Sequence, residues 1–254
     1  MSSLTIVILT KNEALNIVEC VENAKQVTED VLVIDSGSTD DTVQLAKTAG
    51  ARVAFRAWDD DFAAQRNFAI ENSDVEWILY LDADERLNDE LVESIKKALQ
   101  KNKDECYEFK RLNCALGYPF KHGVYGPDKV TRMFKRTHFK YVNKVHEHAE
   151  CADPCKKLKG VIEHYTTRTW EDIEKKTEQY TTIWAQNAHE RGKRTNVIAA
   201  WLHAIVAFIK VYFLQLGFLD GVMGFKVSVQ HIDYTYRKYA RLMDLQKNRE
   251  QTCE

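Results

Sequence analysis

The 254-residue chain lacks a pronounced charge of either sign, because 36 Lys and Arg residues stand against 38 Asp and Glu residues, for a formal net charge of -2. A nucleic-acid-binding domain is usually distinctly basic, so this balance argues against a nucleic-acid partner. The sequence also lacks an internal repeat or low-complexity tract. With 44% hydrophobic and 29% charged residues, the composition is that of an ordinary globular protein with one large or two small domains.

The sequence has no signal-peptide-like segment ahead of its first strand-like run, Leu4 to Leu9. The six cysteines also lack the arrangement of a zinc site, since Cys151 and Cys155 have no second pair nearby and structural zinc needs a closed set of ligands. We therefore expect reduced, unpaired thiols and a cytoplasmic location.

A long transmembrane run is lacking as well. A spanning helix needs about 20 largely apolar residues, whereas Val197 to Ile209 is shorter and Lys210 follows it. The wider segment from Val197 to Phe225 is nevertheless rich in apolar and aromatic residues, and the basic residues of 191–194 precede it. Such a composition suits helices that lie on the surface of an anionic membrane. It equally suits helices that pack on the rest of the protein or on a second copy in a homo-oligomer.

The first hundred residues do contain a regular alternation of strand and helix patterns. The predicted strands are 4–9, 31–34, 51–55 and 77–81, and the predicted helices are 12–25, 41–49, 62–72 and 88–101. This order predicts an α/β fold with a mostly parallel sheet and right-handed crossovers. Ligands bind beyond the carboxyl ends of such strands, where Thr10, Asp35 and Asp82 fall.

The rest of the chain predicts two further regions. Residues 104–165 contain short strand-like runs at 105–113, 130–135 and 161–165, with a loop over 117–127. From about Trp170 onward the pattern is helical. We therefore expect an α/β domain over 1–168 and a helical extension over 169–254.

The most informative segment is the apolar run Trp77 to Leu81 followed by Asp82, Ala83 and Asp84. In a strand, residues i and i+2 point to the same side, which would place the two carboxylates together. Two adjacent carboxylates repel each other unless a cation lies between them. Mg2+ and Mn2+ prefer oxygen ligands and often complete their shell with substrate phosphate, so the segment predicts a metal-diphosphate site. The alternatives are a strand-end turn with solvated carboxylates, or a phosphatase nucleophile.

Four sequence blocks, in order and spacing, resemble those of family 2 glycosyltransferases, which bind nucleotide sugars with a GT-A-type, Rossmann-like fold. The blocks are ILTKNEALNI, VLVIDSGSTDDT, AAQRNFAI and WILYLDADE. The resemblance covers about residues 3–165. The C-terminal FLQLGFLDGVMGF further resembles one branch of the family, the WaaE-like glucosyltransferases of the lipopolysaccharide inner core.

The resemblance implies a nucleotide-sugar site. Thr10 and Glu13 would line the nucleotide pocket, Asp35 would bind the base, and Arg66 would face the diphosphate or the sugar. A guanidinium suits the phosphate role because it is always charged. The milder alternatives are an Asx turn at Asp35 and a surface ion pair at Arg66.

The resemblance also implies a divalent metal, Mg2+ or Mn2+. Asp82 and Asp84 would hold the ribose, the diphosphate and the metal, with Asp84 as the direct ligand. His164 would supply a third metal contact, although a buried structural histidine explains it equally well.

An inverting glycosyl transfer needs a base that takes the proton of the acceptor hydroxyl. Glu147, within Val145-His146-Glu147-His148, lies where family members carry this carboxylate, and Glu85 is its rival. A zinc site is disfavoured because no helical His-Glu-x-x-His occurs.

Three basic residues, Arg132, Lys135 and Arg136, are predicted on the acceptor side. They could bind phosphates of a phosphorylated acceptor. The alternative is an ordinary solvated face.

Together these patterns and the resemblance imply a cytoplasmic enzyme, peripheral on the inner face of the plasma membrane. The resemblance implies that it transfers a hexose with inversion, most simply glucose from UDP-glucose, to an inner-core heptose of lipid-anchored lipopolysaccharide. Another donor such as UDP-galactose, or another acceptor, remains open. A nucleotidyltransferase is a rival, but residues 10–13 lack the glycines of its phosphate loop. A sugar-nucleotide-binding protein without catalysis is the non-enzymatic alternative.

Overall fold

The computed structural model of the protein describes residues 3–59, 61–102, 106–137, 139–142, 148–151 and 155–252. The chain folds as two compact units. Unit 1 comprises Met1–Arg111 and Asp128–His164, and unit 2 comprises Leu112–Pro127 and Tyr165–Glu254. This division differs from the expected boundary at 168/169, because Leu112–Pro127 belongs with the C-terminal helices.

Unit 1 begins with the expected alternation of strands and helices. The strands are β1 (Leu4–Thr10), β2 (Val31–Asp35), β3 (Arg52–Phe55) and β4 (Trp77–Asp82), and the helices are α1 (Ile17–Lys25), α2 (Thr42–Thr48) and α3 (Phe62–Glu71). The strands pair in parallel in the order β3-β2-β1-β4. The register pairs Thr10 with Asp35 and Leu9 with Asp82, so the polar strand ends meet at one edge of the sheet.

The sheet continues beyond β4, and four of its further strand pairs are antiparallel. The further elements are β5 (Glu85–Leu87), α4 (Asp89–Lys101), β6 (Tyr107–Ala115), β7 (Tyr118–Pro119), β8 (Asp128–Lys135), β9 (Phe139–Val142), β10 (His148–Cys151) and β11 (Lys156–Thr167). The order after β4 is β8-β6-β11-β5, whereas β9 and β10 form a separate pair and β7 pairs with the end of β6. The three-residue strand β5 was not predicted, because a run so short carries no detectable period.

The core of unit 1 lies on both faces of β4. Trp77, Leu79 and Leu81 belong to one apolar cluster, and Ile78 and Tyr80 belong to the other. This explains why β4 reads as a continuous apolar run rather than an alternating one. Helix α4 covers the first cluster and is capped by Asn88, whose side chain accepts a hydrogen bond from the Leu91 N–H at 3.0 Å.

The C-terminal part of unit 2 contains three α-helices in the described residues. They are α5 (Trp170–Glu190), α6 (Val197–Ile209) and α7 (Gly221–Thr252), and both α5 and α6 pack on α7. Thr169 and Asp172 form a reciprocal capping box at the start of α5. Ion pairs Arg237–Glu174 and Arg241–Glu178 join α7 to α5.

The apolar helix of unit 2 is longer than the sequence suggested. A π-helical turn over Lys210–Leu214 extends α6, which gives 18 residues, Val197–Leu214, with a mean hydropathy of 2.1. By length and composition alone, this is the single stretch among the described helices that could cross a membrane. The expectation that the run stops at Lys210 was therefore wrong.

The expectation of unpaired thiols is contradicted at two cysteines. Cys106 and Cys155 form a disulfide, with 4.6 Å between their Cα atoms. The Lys156 N–H donates to the Cys106 carbonyl at 2.8 Å, which brings the segments before β6 and β11 side by side. The partners lie 49 residues apart, so the local spacing of Cys151 and Cys155 could not reveal the pair.

Candidate active site

A cavity of about 450 Å3 opens at the carboxyl ends of β1 and β4, where the sequence placed the ligand. Its lining comprises Leu9, Thr10, Lys11, Glu13, Ser36, Trp58, Gln65, Arg66, Asp82, Ala83 and Asp84. All of these residues belong to unit 1. We refer to this space as the donor cavity.

Two loops at the cavity edge are tied together by side chains. The Asn12 N–H donates to Ser38 Oγ at 2.9 Å, and Asn12 Oδ1 accepts from the Thr39 N–H at 2.7 Å. The Glu13 N–H donates to Thr42 Oγ1 at 2.8 Å. Asn12 has a positive φ of 57°, which asparagine tolerates better than most residues. These bonds hold the loop after β1 against the loop after β2.

Two oxygen atoms of cavity-lining side chains have no hydrogen-bond partner within the described part of the chain. They are Thr10 Oγ1 and Gln65 Oε1, and both are buried. Gln65 Nε2 donates to Ser36 Oγ and to the Arg56 carbonyl, both at 2.9 Å. These bonds fix the orientation of the amide and leave its oxygen available to accept a hydrogen bond. Buried polar atoms are normally satisfied, so these two are suited to a polar ligand. The sequence prediction included Thr10 but missed Gln65, although Gln65 immediately precedes Arg66.

Asp35 reaches the expected edge of the sheet but is not part of the cavity lining. Its carboxylate accepts hydrogen bonds from the Gly37 and Ser38 N–H groups and from Ser38 Oγ. We therefore assign Asp35 to stabilising the turn after β2, the milder of the two roles considered for it. Its contact with a base stays a prediction.

Arg66 is buried, lines the cavity and lies over two aromatic rings. Its guanidinium carbon is 5.4 Å from the Tyr80 ring centre and 5.2 Å from that of Tyr141. Its Nη2 is 3.5 Å from Asp82 Oδ1. This puts a fixed positive charge beside the first carboxylate of the motif.

Asp82 and Asp84 both line the cavity, but strand periodicity is not the reason. Strand β4 ends at Asp82, and Ala83 and Asp84 form the tight turn into β5. The expectation of two side chains on one strand face was therefore wrong. Arg86 holds this turn by donating to the carbonyls of Ala83 and Glu85 at 2.8 and 2.7 Å.

Asp84 and His164 form the pair best suited to a metal. Asp84 Oδ2 lies 3.3 Å from His164 Nε2, and strand pairing places His164 opposite Glu85. Within the described residues, no three Asp, Glu, His or Cys side chains converge on one metal position. The residues still fit Mg2+ or Mn2+, since these ions commonly bind through one or two protein groups and complete their shell with phosphate and water.

Asp82 instead forms ion pairs with two arginines. Arg132 Nη2 donates to Asp82 Oδ2 at 2.5 Å, on the side opposite the Arg66 contact with Oδ1. Burial would raise the pKa of Asp82, but the charges of Arg132 and Arg66 outweigh burial and hold that pKa well below its usual value. Asp82 is therefore ionised throughout the physiological range.

Glu85 is not placed as a general base would be. Its side chain is fully buried and accepts from the Asp82 N–H at 3.0 Å, from Arg132 at 3.0 Å and from Arg111 at 3.2 Å. It is not part of the cavity lining. The preferred base, Glu147, lies outside the described residues, as does His146, and stays a prediction.

The predicted acceptor-side cluster of basic residues does not form. Strand β8 runs antiparallel to β4 and pairs Lys135 with Trp77, at the opposite end of β4 from Asp82. Lys135 Nζ lies 3.3 Å from a Glu76 oxygen, and Arg136 donates to the Ser73 carbonyl at 3.0 Å. Arg132 is buried against Asp82 and Glu85. Residues three apart along a strand point to opposite faces of the sheet, so Arg132 and Lys135 do not share one cluster.

Comparison with known proteins identifies the class of this molecule. The sequence profile of glycosyl transferase family 2 matches residues 5–156, and the chain belongs to this family. The GT-A-like fold and the glycosyltransferase class expected from the sequence are thereby confirmed.

Relatives match nearly the whole chain. The glycosyltransferase RP128 of Rickettsia prowazekii is 27% identical over 96% of this chain and 88% of its own length. The lipopolysaccharide core biosynthesis glycosyltransferase LpsC of Rhizobium meliloti is 26% identical over 92% of this chain and 90% of its own length. Among solved structures, S. aureus TarS 1-349 in complex with UDP-GlcNAc is 13% identical over 98% of this chain and 92% of that one, with a TM-score of 0.44.

Proposed function

We propose that the protein transfers glucose from UDP-glucose, with inversion, to an inner-core heptose of lipid-anchored lipopolysaccharide. The observation that carries the donor side is the cavity at the β1 and β4 strand ends, which combines unsatisfied buried polar atoms with Arg66 and the Asp82–Asp84 turn. Family membership supports a nucleotide-sugar donor. The similarity to LpsC supports a lipopolysaccharide core acceptor.

Four residues of the cavity lining, together with His164, have roles in this proposal. Thr10 and Gln65 bind the nucleoside, whose hydroxyl and ring groups satisfy their buried polar atoms. Arg66 binds the diphosphate as a charge-assisted hydrogen-bond donor. Asp84 and His164 hold a divalent cation, which when bound offsets the negative charge of the departing diphosphate.

The acceptor oxygen attacks the anomeric carbon as the bond to the diphosphate breaks. Glu147 takes the acceptor's proton, and UDP leaves. Glu85 is unsuited to this step because its two oxygens already accept three hydrogen bonds away from the cavity.

The exposed surface of α6 supports a membrane location. Its packed side includes Ala200 and Ala204. Other apolar side chains of the helix are exposed, among them Ile198 at 81%, Leu202 at 61% and Val206 at 53%. An apolar surface of this kind, with basic residues nearby in the chain, is typical of a helix that lies in a membrane interface. We propose this arrangement rather than a span, because the charged Lys210 lies within the stretch and the stretch ends at Leu214, shortly before the left-handed residue Leu216.

A donor screen tests the reaction. Washed, core-truncated lipopolysaccharide is incubated with single UDP-sugars, and UDP release is measured with and without Mn2+. Release with UDP-glucose that requires both acceptor and metal supports the proposal. UDP release with UDP-galactose alone would refute glucose as the transferred sugar. UDP release with a soluble glycan alone would refute lipopolysaccharide as the acceptor. The matched variants Glu147→Gln and His148→Gln separate loss of the base from general disturbance of the segment.

A further inference from the structure

We propose that Arg132 is a positioning residue that withholds Asp82 from the metal and thereby reserves metal binding for Asp84. This inference rests on the proposed metal site. It concerns how Arg132 keeps Asp82 from the ion, so that two aspartates in one turn do not share it.

Arg132 reaches the Asp82–Asp84 turn from outside the donor cavity. It extends from β8, is only 6% exposed and does not contribute to the cavity lining. A single nitrogen, Nη2, donates both to Asp82 Oδ2 at 2.5 Å and to Glu85 Oε1 at 3.0 Å. Among the described residues, its Nε has no hydrogen-bond partner. The charge of this buried guanidinium is therefore balanced mainly by these two carboxylates.

Glu85 keeps Arg132 in place. The Glu85 side chain is fully buried, and it accepts additionally from the Asp82 N–H and from Arg111. A buried carboxylate with this many donors has a defined orientation, because any rotation leaves a buried charge unpaired. Glu85 thus fixes Arg132, and Arg132 fixes Asp82.

As a consequence, the two carboxylates of the Asp82–Asp84 turn have different roles. Asp82 has Oδ2 on Arg132 and Oδ1 toward Arg66, so both oxygens face cations. A metal ion at Asp82 would have to displace a guanidinium and would meet two positive charges. Asp84 has His164 as its neighbour instead. Asp82 then accepts hydrogen bonds from the nucleotide-sugar donor in a fixed orientation, and Asp84 binds the metal ion.

The test is a double-mutant cycle read out as Mn2+ affinity without donor, from the free Mn2+ signal in electron paramagnetic resonance. Asp82→Asn should leave Mn2+ affinity within about threefold of the wild type. Arg132→Met should tighten Mn2+ binding about tenfold, because it frees a carboxylate and removes a nearby positive charge. The double variant should return to the wild-type value, since coupling between contacting charges is what the cycle isolates.

Arg111→Met is the matched control. Arg111 contacts Glu85 at 3.2 Å and Asp128 at 2.6 Å, and neither of these ion pairs involves Asp82. The substitution removes the same charge nearby, so its effect on Mn2+ affinity should stay below about threefold. If Arg111→Met tightened Mn2+ binding as much as Arg132→Met, the loss of any nearby positive charge would explain the gain, and the proposal would be overturned.

Two outcomes separate this inference from the function on which it rests. Equal Mn2+ binding by the wild type and Asp84→Ala would overturn the proposed metal site itself. The role of Arg132 alone would be overturned if Asp84→Ala loses Mn2+ affinity as expected but Asp82→Asn loses as much. It would also be overturned if Arg132→Met shows no gain in Mn2+ affinity. If Arg132→Met does not fold, Glu85→Gln/Arg132→Met removes both buried charges together and should show the same gain.

Discussion

At the scale of single residues, the site depends on buried arginines as much as on the aspartates that define its motif. Arg66, Arg86 and Arg132 are each less than 10% exposed, and all three contact the Asp82–Glu85 segment. Burying charged groups is costly unless they are paired and hydrogen-bonded. The turn is therefore held in one conformation by pairs that cannot be broken singly without leaving a buried charge.

Removal of Glu85 should be among the most destabilising single changes in unit 1. Glu85→Ala leaves Arg132 and Arg111 without their shared acceptor, and breaking a buried ion pair from one side costs about 3 to 5 kcal/mol. Urea unfolding measures this loss. The control is Glu93→Ala, whose partner Lys96 and own side chain are 44% and 59% exposed, with an expected change below about 0.5 kcal/mol. Equal effects in the two variants would contradict the buried network.

The ion pairs of Asp82 should also affect how the free energy of unfolding depends on pH under acidic conditions. The pKa of Asp82 is depressed in the folded state, so the pairs contribute fully above its ordinary value of 3.8 and are lost as pH falls below it. Between about pH 5 and pH 3, the free energy of unfolding of the wild type should fall more steeply than that of Asp82→Asn. Urea midpoints at half-unit pH steps measure both slopes. Parallel curves would show that Asp82 is not held by charge.

At the scale of elements, close contact between β11 and α4 requires a glycine. Gly160 has a φ of +94°, and a Cβ there would lie 2.3 Å from the Leu91 nitrogen and 2.7 Å from Asn88 Oδ1, the atom that caps α4. Gly160→Ala should therefore cost about 3 kcal/mol, from backbone strain and loss of the cap.

Gly192→Ala, in unit 2, is the matched comparison for this prediction. Gly192 also has a positive φ, +70°, but a Cβ there would meet no atom of the described residues within 4 Å. Strain alone should cost about 1 kcal/mol at this position. Thermal unfolding of both variants distinguishes them, and equal losses would show that the contact with α4 is unimportant.

The elements that the sequence predicted well are those with a strong local period. Strand β4 and helix α4 appear within one or two residues of their predicted bounds, because a buried strand and an amphipathic helix are visible in consecutive residues. The cavity edge followed from strand order. The features that the sequence missed depend on distant partners: Arg132 is 50 residues from Asp82, and Cys106 is 49 from Cys155. No local pattern encodes such pairs.

At the scale of the whole molecule, catalysis and membrane association are proposed to reside in different units. Unit 1 contains every residue of the donor cavity, and unit 2 contains the exposed apolar helix. Because the two functions rest on different parts of the chain, each can be disturbed without a direct change in the residues of the other.

The variant Ile198→Glu/Leu202→Glu should weaken binding to anionic phospholipid vesicles at least tenfold, because each buried Leu or Ile side chain contributes about 1.5 to 3 kcal/mol. Vesicle sedimentation measures this change. Leu15→Glu alters a side chain that is 80% exposed in unit 1 and should leave vesicle binding unchanged. Vesicle binding that persists in the double variant would contradict the interfacial role of α6. If α6 is a dimer contact instead, the molecular mass of the protein in solution would increase with its concentration.

The central claim is that the Asp82–Asp84 turn binds a nucleotide diphosphate through a divalent cation at Asp84. Calorimetric titration of UDP into the protein, with and without Mn2+, tests this claim most directly. We predict that UDP binds the wild type at least tenfold more tightly with Mn2+, and that Asp84→Ala abolishes this gain while remaining folded. UDP affinity that is independent of Mn2+, or a gain that survives in Asp84→Ala, would contradict the account.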